Sequence, residues 1–340
     1  MAENSKIEWT THTFNPWTGC TKVSPGCKYC YAEALMDQRY HKVKWGPQGI
    51  RLRTSVSNWR KPLQWNKTQW FQCPGCGWSG PEKDMLLDGC PNLICHAVCV
   101  PARQRVFVAS LADIGEIHET ILDEWRIDLV NLVTECNNLD WLFLTKRPEN
   151  FNELYLDLFG GQLPDNLWVG TSVENQAYAD LRIPQLLKID AKVRFLSCEP
   201  LLEQMFIGFD IWFDQEYYEG RIGKPRDGIA RQYKDLIHWV IVGGESGPKA
   251  RPMHPKWATS IRDECVSAGV PFLFKQWGEF VPWIPRDGNP GNHPIQHVRL
   301  DGLKYEPGDF TSPLQSMIKI GKHAAGRLLD GRTWDEYPTS

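Results

Sequence analysis

The sequence predicts an α/β fold: a parallel sheet of six or seven βα units, curled into a partial (β/α)6–7 barrel or lying open as a doubly wound sheet. Short runs rich in apolar, β-branched and aromatic residues recur at 106–111, 141–145, 167–171, 193–197, 238–242 and 270–274. Stretches with helical periodicity lie between most of them, at 117–137, 150–158, 177–189 and 256–268. Strands that are apolar throughout belong to a sheet covered on both faces, and their alternation with helices makes the sheet parallel. At 340 residues, 42% of them apolar, the chain is long for one ordinary domain but suits an α/β barrel with insertions.

Taken in order, residues 7–13 are short, β-branched and alternating, a strand that delivers the Gly/Pro loop of residues 14–33. That loop carries Cys20, Cys27 and Cys30, spaced C-x6-C-x2-C. A structural zinc closes its shell with four ligands, whereas a [4Fe–4S] cube held by three cysteines leaves one iron free. Three thiolates with no fourth nearby therefore suit the cluster. A zinc knuckle completed by a distant residue such as His12 or His41 is the other reading. Residues 31–41 read as a helix beginning just after Cys30, whose N-terminus would favour an anionic cluster. Residues 42–67 are rich in Trp, Pro, Arg and Asn, with only a short helical pattern.

Cys27-Lys28-Tyr29-Cys30 and the helix after it resemble the radical SAM enzymes. Their usual spacing is C-x3-C-x2-C with an aromatic residue before the last cysteine. Tyr29 holds that place here, while the first gap is longer. Trp17-Thr18-Gly19-Cys20, Val23-Ser24-Pro25-Gly26-Cys27, Cys30-Tyr31-Ala32-Glu33 and the closing stretch from Gly326 to Pro338 together resemble a phage and prophage family of radical-SAM-like proteins with a three-cysteine motif, of unknown reaction. The resemblance implies a partial barrel of radical SAM type, a [4Fe–4S] cluster on the three cysteines, and S-adenosylmethionine (SAM) beside Tyr29. It also implies a reductant protein such as flavodoxin or ferredoxin. The phage context makes a nucleobase, nucleotide or nucleic acid the preferred substrate.

Residues 68–105 form a second cysteine module, with Cys73, Cys76, Cys90 and Cys95 followed closely by His96 and Cys99. Two knuckles this close match a small zinc ribbon. The second knuckle is stretched, so Cys99 or His96 are substitute ligands, and a second iron–sulfur cluster is the rival occupant. An insertion too small for its own core uses a metal to fold. The chain therefore divides into residues 1–67 (N-terminal strand, cysteine loop and first helix), 68–105 (metal insertion), 106–280 (remaining βα units, interrupted by a polar insertion at 208–236) and 281–340. The last part is Pro/Gly-rich, with a hairpin around Asp301-Gly302 and a closing helix over 312–330. Long excursions of this kind are usually lids or binding loops.

Ligand sites in βα architectures lie at the C-terminal ends of the strands, and those positions are polar here. Ser110, Ser172 and Glu174 are candidate cofactor contacts on position, the last two to SAM ribose or amino acid. Lys146 and Arg147 suit a SAM carboxylate or a substrate phosphate. Gly243 and Gly244 would let the backbone approach an adenine. Asp113, Thr171, Ser197, Glu199, Glu245, Ser246, Lys275, Gln276 and Glu279 complete the rim, with Glu199 a candidate catalytic carboxylate. Cys198 belongs to neither cysteine module and would donate a hydrogen atom to a substrate radical if it faces the pocket; an inert half-buried thiol is the other reading. Cys136 and Cys265 sit in helical stretches as fillers.

Eleven cysteines, with neither a signal peptide nor an apolar run near 18 residues, point to a cytoplasmic protein off the membrane whose thiols bind metals. The net charge of −3 excludes a whole-molecule field that pulls the protein onto nucleic acid. Local patches remain at 51–61, where cations interleave with Trp59, and at 221–234, with Lys224, Arg226 and Arg231. No Walker loop, nucleophile elbow or H-E-x-x-H supports a hydrolase or phosphoryl-transfer enzyme. The expectation is a radical SAM enzyme acting by hydrogen abstraction. The alternative is a non-catalytic zinc-binding protein that docks nucleic acid or a partner.

Overall fold

The computed structural model describes residues 4–338 apart from 87–88, 93, 96, 211, 214–230, 285–287, 289 and 309–310. Seven parallel strands form one sheet in chain order: β1 (His12–Phe14), β2 (Gln104–Val108), β3 (Leu139–Thr145), β4 (Leu167–Ser172), β5 (Val193–Cys198), β6 (Trp239–Gly243) and β7 (Phe272–Gln276). The six apolar runs supply six of these strands; the N-terminal one, expected over 7–13, is confined to His12–Phe14. The order contains no reversal of the kind that marks the centre of a doubly wound sheet, and the sheet curls into a half-barrel.

Side-chain alternation sorts the sheet into two cores. The inner face packs Trp9, Phe107, Leu142, Trp168, Phe195 and Trp239 against one another. Gly170 makes room for this filling, because a Cβ there would come 2.5 Å from the Phe195 ring on the next strand. The outer face buries Val106, Trp141, Phe143, Val169, Leu196 and Val240 under the crossovers. Three of these contain regular helices: α1 (Asp123–Glu135), α2 (Gln176–Leu187) and α3 (Pro255–Ala268). The β3–β4 crossover has a 3-10 turn at Pro148–Asn150 and a π-helical turn at Asn152–Leu156 instead of the expected helix. The helix expected over 31–41 is also only one α turn, Tyr31–Glu33, continued by a π-helical segment, Ala34–Arg39.

The closing helix expected over 312–330 is overturned. Leu314–Lys319 is instead a strand, pairing antiparallel with both Phe280–Trp283 and Ile295–Arg299. Burial of Met317 and Ile318 in that small sheet overrides helix propensity. Among the described residues, only Lys322–Ala325 is helical beyond it. The last segment runs along the free edge of β7. The Phe274 amide donates to the Trp334 carbonyl at 3.0 Å, and the Glu336 amide donates to Phe272 at 3.2 Å. Tyr337 then reaches back beneath the inner core to the Glu8 carbonyl at 3.1 Å, its ring 3.8 Å from the Arg105 guanidinium. The closing motif is thus a strap tying the two ends of the open sheet together.

The cysteine-rich insertion makes its own three-stranded antiparallel sheet, from Trp70–Gln72, Ser79–Pro81 and Val100–Ala102, and passes directly into β2. Of the insertion at 208–236, Trp212–Phe213 and Arg231–Gln232 pair as a short hairpin; Lys224 and Arg226 lie outside the described residues. Among the described residues, no helix is long and apolar enough to cross a membrane.

Candidate functional site

The loop carrying Cys20, Cys27 and Cys30 is held by residues from several strand ends. Thr21, directly after Cys20, is tied through each of its polar groups. Its amide donates to Glu116 Oε1 at 2.9 Å, its carbonyl accepts from Arg147 Nη2 at 2.8 Å, and its hydroxyl accepts from Arg51 Nη2 at 2.7 Å. Arg51 and Glu116 form a buried pair, and Arg147 pairs with Asp113 at 2.7 Å. Farther along, the Tyr178 hydroxyl donates to the Val23 carbonyl at 2.9 Å and Ser24 Oγ donates to Glu174 Oε1 at 2.7 Å. From the loop after β6, Arg251 donates to the Pro25 carbonyl at 3.1 Å while pairing with Glu245. Gly26 is required by this packing, since a Cβ there would stand 2.5 Å from the Glu174 carboxylate.

The three cysteines line one cavity of about 470 Å³ at the C-terminal ends of the strands, facing Ser110, Ser172, Ser197, Glu199 and Lys275. Burial pushes the Cys20 thiol well up, and Asp113 and Glu116 add to it; Arg147, whose Nη1 donates to the Cys20 sulfur at 3.8 Å, opposes them. Cys30 is likewise raised by burial, against the pull of the Ala32 and Glu33 amides and the Lys146 ammonium. Burial therefore favours the neutral thiol at Cys20 and Cys30, and a bound cation would draw out their thiolates.

Six of the ten strand-end and loop residues singled out from sequence for catalysis or cofactor contact line this cavity: Tyr29, Ser110, Lys146, Ser172, Glu199 and Gly244. The other four do not. Arg147 is spent on Asp113, the Thr21 carbonyl and the Cys20 sulfur. Cys198 is fully buried in the outer core, opposite Val242 on β6, so a pocket-facing thiol is overturned. Side chains alternate along a strand; Ser197 takes the cavity side and Cys198 the helix side. Glu174, also fully buried, is occupied by Arg182 at 2.8 Å, Lys146 at 3.5 Å and Ser24, and supports the cysteine loop rather than facing the cavity. Gly243 leaves space for Glu199, whose Oε1 would lie 2.7 Å from a Cβ there. Glu199 in turn pairs with Lys275 at 2.9 Å and accepts from Ser197 Oγ at 3.3 Å. Of the patch at 51–61, Arg51 is buried and Arg53 pairs with Asp128 at the surface beside the Trp59 ring, while Arg60 is exposed.

Sequence reasoning missed Arg51 and Glu116 as loop anchors, along with Tyr178 and Arg251. No local pattern marks them, because each reaches the loop from a distant part of the chain.

A second centre lies in the insertion. The sulfurs of Cys73, Cys76, Cys90 and Cys95 all fall within 4.8 Å of one another, and among the described residues this is the one set of three or more metal-ligating groups that does so. Cys73 and Cys95 are 3.4 Å apart and Cys76 and Cys90 are 3.3 Å apart. A tetrahedral ion with metal–sulfur bonds of ~2.3 Å needs sulfurs ~3.8 Å apart, so the set can hold one metal ion. The Cys76 amide helps draw the Cys73 thiol down to about 6, whereas burial pushes Cys90 up to about 12. Cys99 is buried beside Cys73 and Cys90 without joining the set, and His96 lies outside the described residues.

The profile of a family described as a protein of unknown function, DUF5131, matches residues 4–338. No curated protein and no solved structure matches the chain.

Proposed function

The chain belongs to the DUF5131 family, and we propose that it is a radical SAM enzyme of that family, with an iron–sulfur cluster on Cys20, Cys27 and Cys30. One observation carries the proposal: three thiols from a single clamped loop open into one cavity at the C-terminal end of a parallel half-barrel. The residues fit such a group. Arg147 and Lys146 offer positive charge beside Cys20 and Cys27, and they offset the anion that three thiolates and a cluster would make. Cys20, Cys27 and Cys30 would hold a [4Fe–4S] cluster there, and the chemistry it would supply is one-electron reduction of SAM for hydrogen abstraction from a substrate.

The chain's own residues then bind, orient and exclude water. The aromatic filling beneath the cavity, with Trp9 and Phe107 in its floor, keeps water from entering from below. Ser110, Ser172 and Ser197 present hydroxyls to a bound molecule. The Lys275–Glu199 pair puts both a cation and a carboxylate at the wall formed by β5 to β7. The preferred substrate is a nucleobase or nucleotide, free or within nucleic acid, with a flavodoxin or ferredoxin as electron donor. In the insertion the preferred ion is zinc, held by Cys73, Cys76, Cys90 and Cys95 as a structural staple.

Anaerobic reconstitution with iron and sulfide, followed by electron paramagnetic resonance of the reduced protein with and without SAM, tests the proposal. A cubane signal that shifts on adding SAM and disappears in the Cys20→Ala/Cys27→Ala/Cys30→Ala variant is expected. A protein that takes up zinc alone and gives no such signal would sink it, leaving a metal-stapled binding protein.

A further inference from the structure

Residues 28–45 carry aromatic rings with cations over their faces, and they border the cavity. Tyr29, Tyr31 and Trp45 line it, yet Tyr31 is 56% exposed, and Tyr40 is 51% exposed. Lys28 and Arg251 each stand 5.3 Å from the Tyr29 ring centroid. Arg39 and Lys42 stand 5.5 and 5.8 Å from that of Tyr40. The two carboxylates of this stretch are already engaged: Glu33 pairs with Lys22 at 2.6 Å, and Asp37 accepts from the Trp45 amide at 2.7 Å. Lys28, Arg39, Lys42 and Lys44 are all exposed, and among the described residues none has a carboxylate partner. A chain with a net charge of −3 thus keeps a local surplus of cations, interleaved with exposed rings, beside the cysteine-lined cavity.

Rings that can stack on any base, set among cations that can meet phosphates, are the chemistry of single-stranded nucleic acid binding. We infer that this rim is a binding surface for single-stranded nucleic acid, positioned to feed a base into the cavity. The inference rests on the proposed function in one respect, that the cavity is where a substrate reacts. A duplex would have to extrude a base to use the same rings. An acidic protein would engage the cations but would have no use for the stacking faces.

The test is fluorescence anisotropy of the iron-loaded protein with a short fluorescein-labelled oligothymidylate, its RNA counterpart oligouridylate, and a duplex of equal length. Both single strands should bind more tightly than the duplex, with the logarithm of the binding constant falling linearly with log salt. Arg39→Glu/Lys42→Glu should weaken binding about tenfold or more and reduce the salt slope by roughly 0.7 for each phosphate that is no longer neutralised. Tyr40→Ala, which leaves the charge unchanged, should weaken binding about fivefold or more. Wild-type affinity in Tyr40→Ala, or displacement of the oligonucleotide by polyglutamate at equal charge concentration, would overturn the inference in favour of an acidic protein partner. The same samples are read by electron paramagnetic resonance. A cluster signal without oligonucleotide binding removes the rim and leaves the cluster, whereas binding without a cluster signal removes the cluster and leaves the rim.

Discussion

Nη1 of Arg147 donates to the sulfur of Cys20 at 3.8 Å while pairing with Asp113 at 2.7 Å. The second nitrogen, Nη2, holds the Thr21 carbonyl at 2.8 Å, so one side chain from the end of β3 fixes both the place and the electrostatics of the first cysteine. Arg147→Ala would leave Asp113 buried beside the loop without its cation, while Glu116 keeps Arg51. Loss of one partner from a buried pair costs about 3–5 kcal/mol. Thermal unfolding should show a loss of that order, with reduced iron retention after gel filtration. An unchanged melting temperature and iron content would mean that the clamp is incidental.

Five thiols crowd the insertion, but the geometry selects four of them. Cys95→Ser should abolish tight metal binding by the insertion, measured by metal content after dialysis against a mild chelator. Cys99→Ser should retain a full equivalent. The reverse result would move the fourth ligand to Cys99 and contradict the sulfur positions. Because a small sheet closed around a metal depends on it for folding, proteolysis within residues 68–105 should accelerate in the metal-free protein.

Cys198 faces the outer core rather than the cavity. On the proposed radical reading, Cys198→Ala should therefore leave SAM-dependent chemistry within about twofold, at a stability cost of ~1 kcal/mol for the small buried volume removed. Complete loss of product with SAM cleavage intact would restore the thiol as a hydrogen donor and overturn the register of β5.

His254 caps α3, its Nδ1 accepting from the Lys256 amide at 3.1 Å. Burial, aided by the Lys256 ammonium, lowers it from its ordinary 6.5 to about 4. A depressed pKa means that folding favours the neutral ring. Its contribution is fully present above pH 6.5 and is lost as pH falls through about 4. The loss amounts to at most about 3 kcal/mol. His254→Asn keeps a capping side chain that does not titrate. Denaturant unfolding at a series of pH values should show a smaller fall between pH 6.5 and 4 in the variant than in the wild type; parallel curves would exclude this role.

The sequence by itself determined the βα alternation, the seven strands and both cysteine groups, because each of these is written in neighbouring residues: a run of four to eight apolar side chains, or a pair of cysteines two positions apart. It also marked Ser110, Lys146, Ser172 and Glu199 as strand-end residues, since the C-terminal ends of parallel strands always meet on one rim. Tertiary structure alone decided which of these point inward. In a strand buried on both faces, the apolar run hides its parity, so Ser197 and Cys198 are indistinguishable until the register is known. Tertiary structure also turned Glu174 from a supposed ligand contact into a brace for Ser24 and Gly26, residues about 150 positions away. The anchors of Thr21 come from three separate elements for the same reason. Burying a charged group requires partners that satisfy it, and which partners arrive is settled by how the sheet curls.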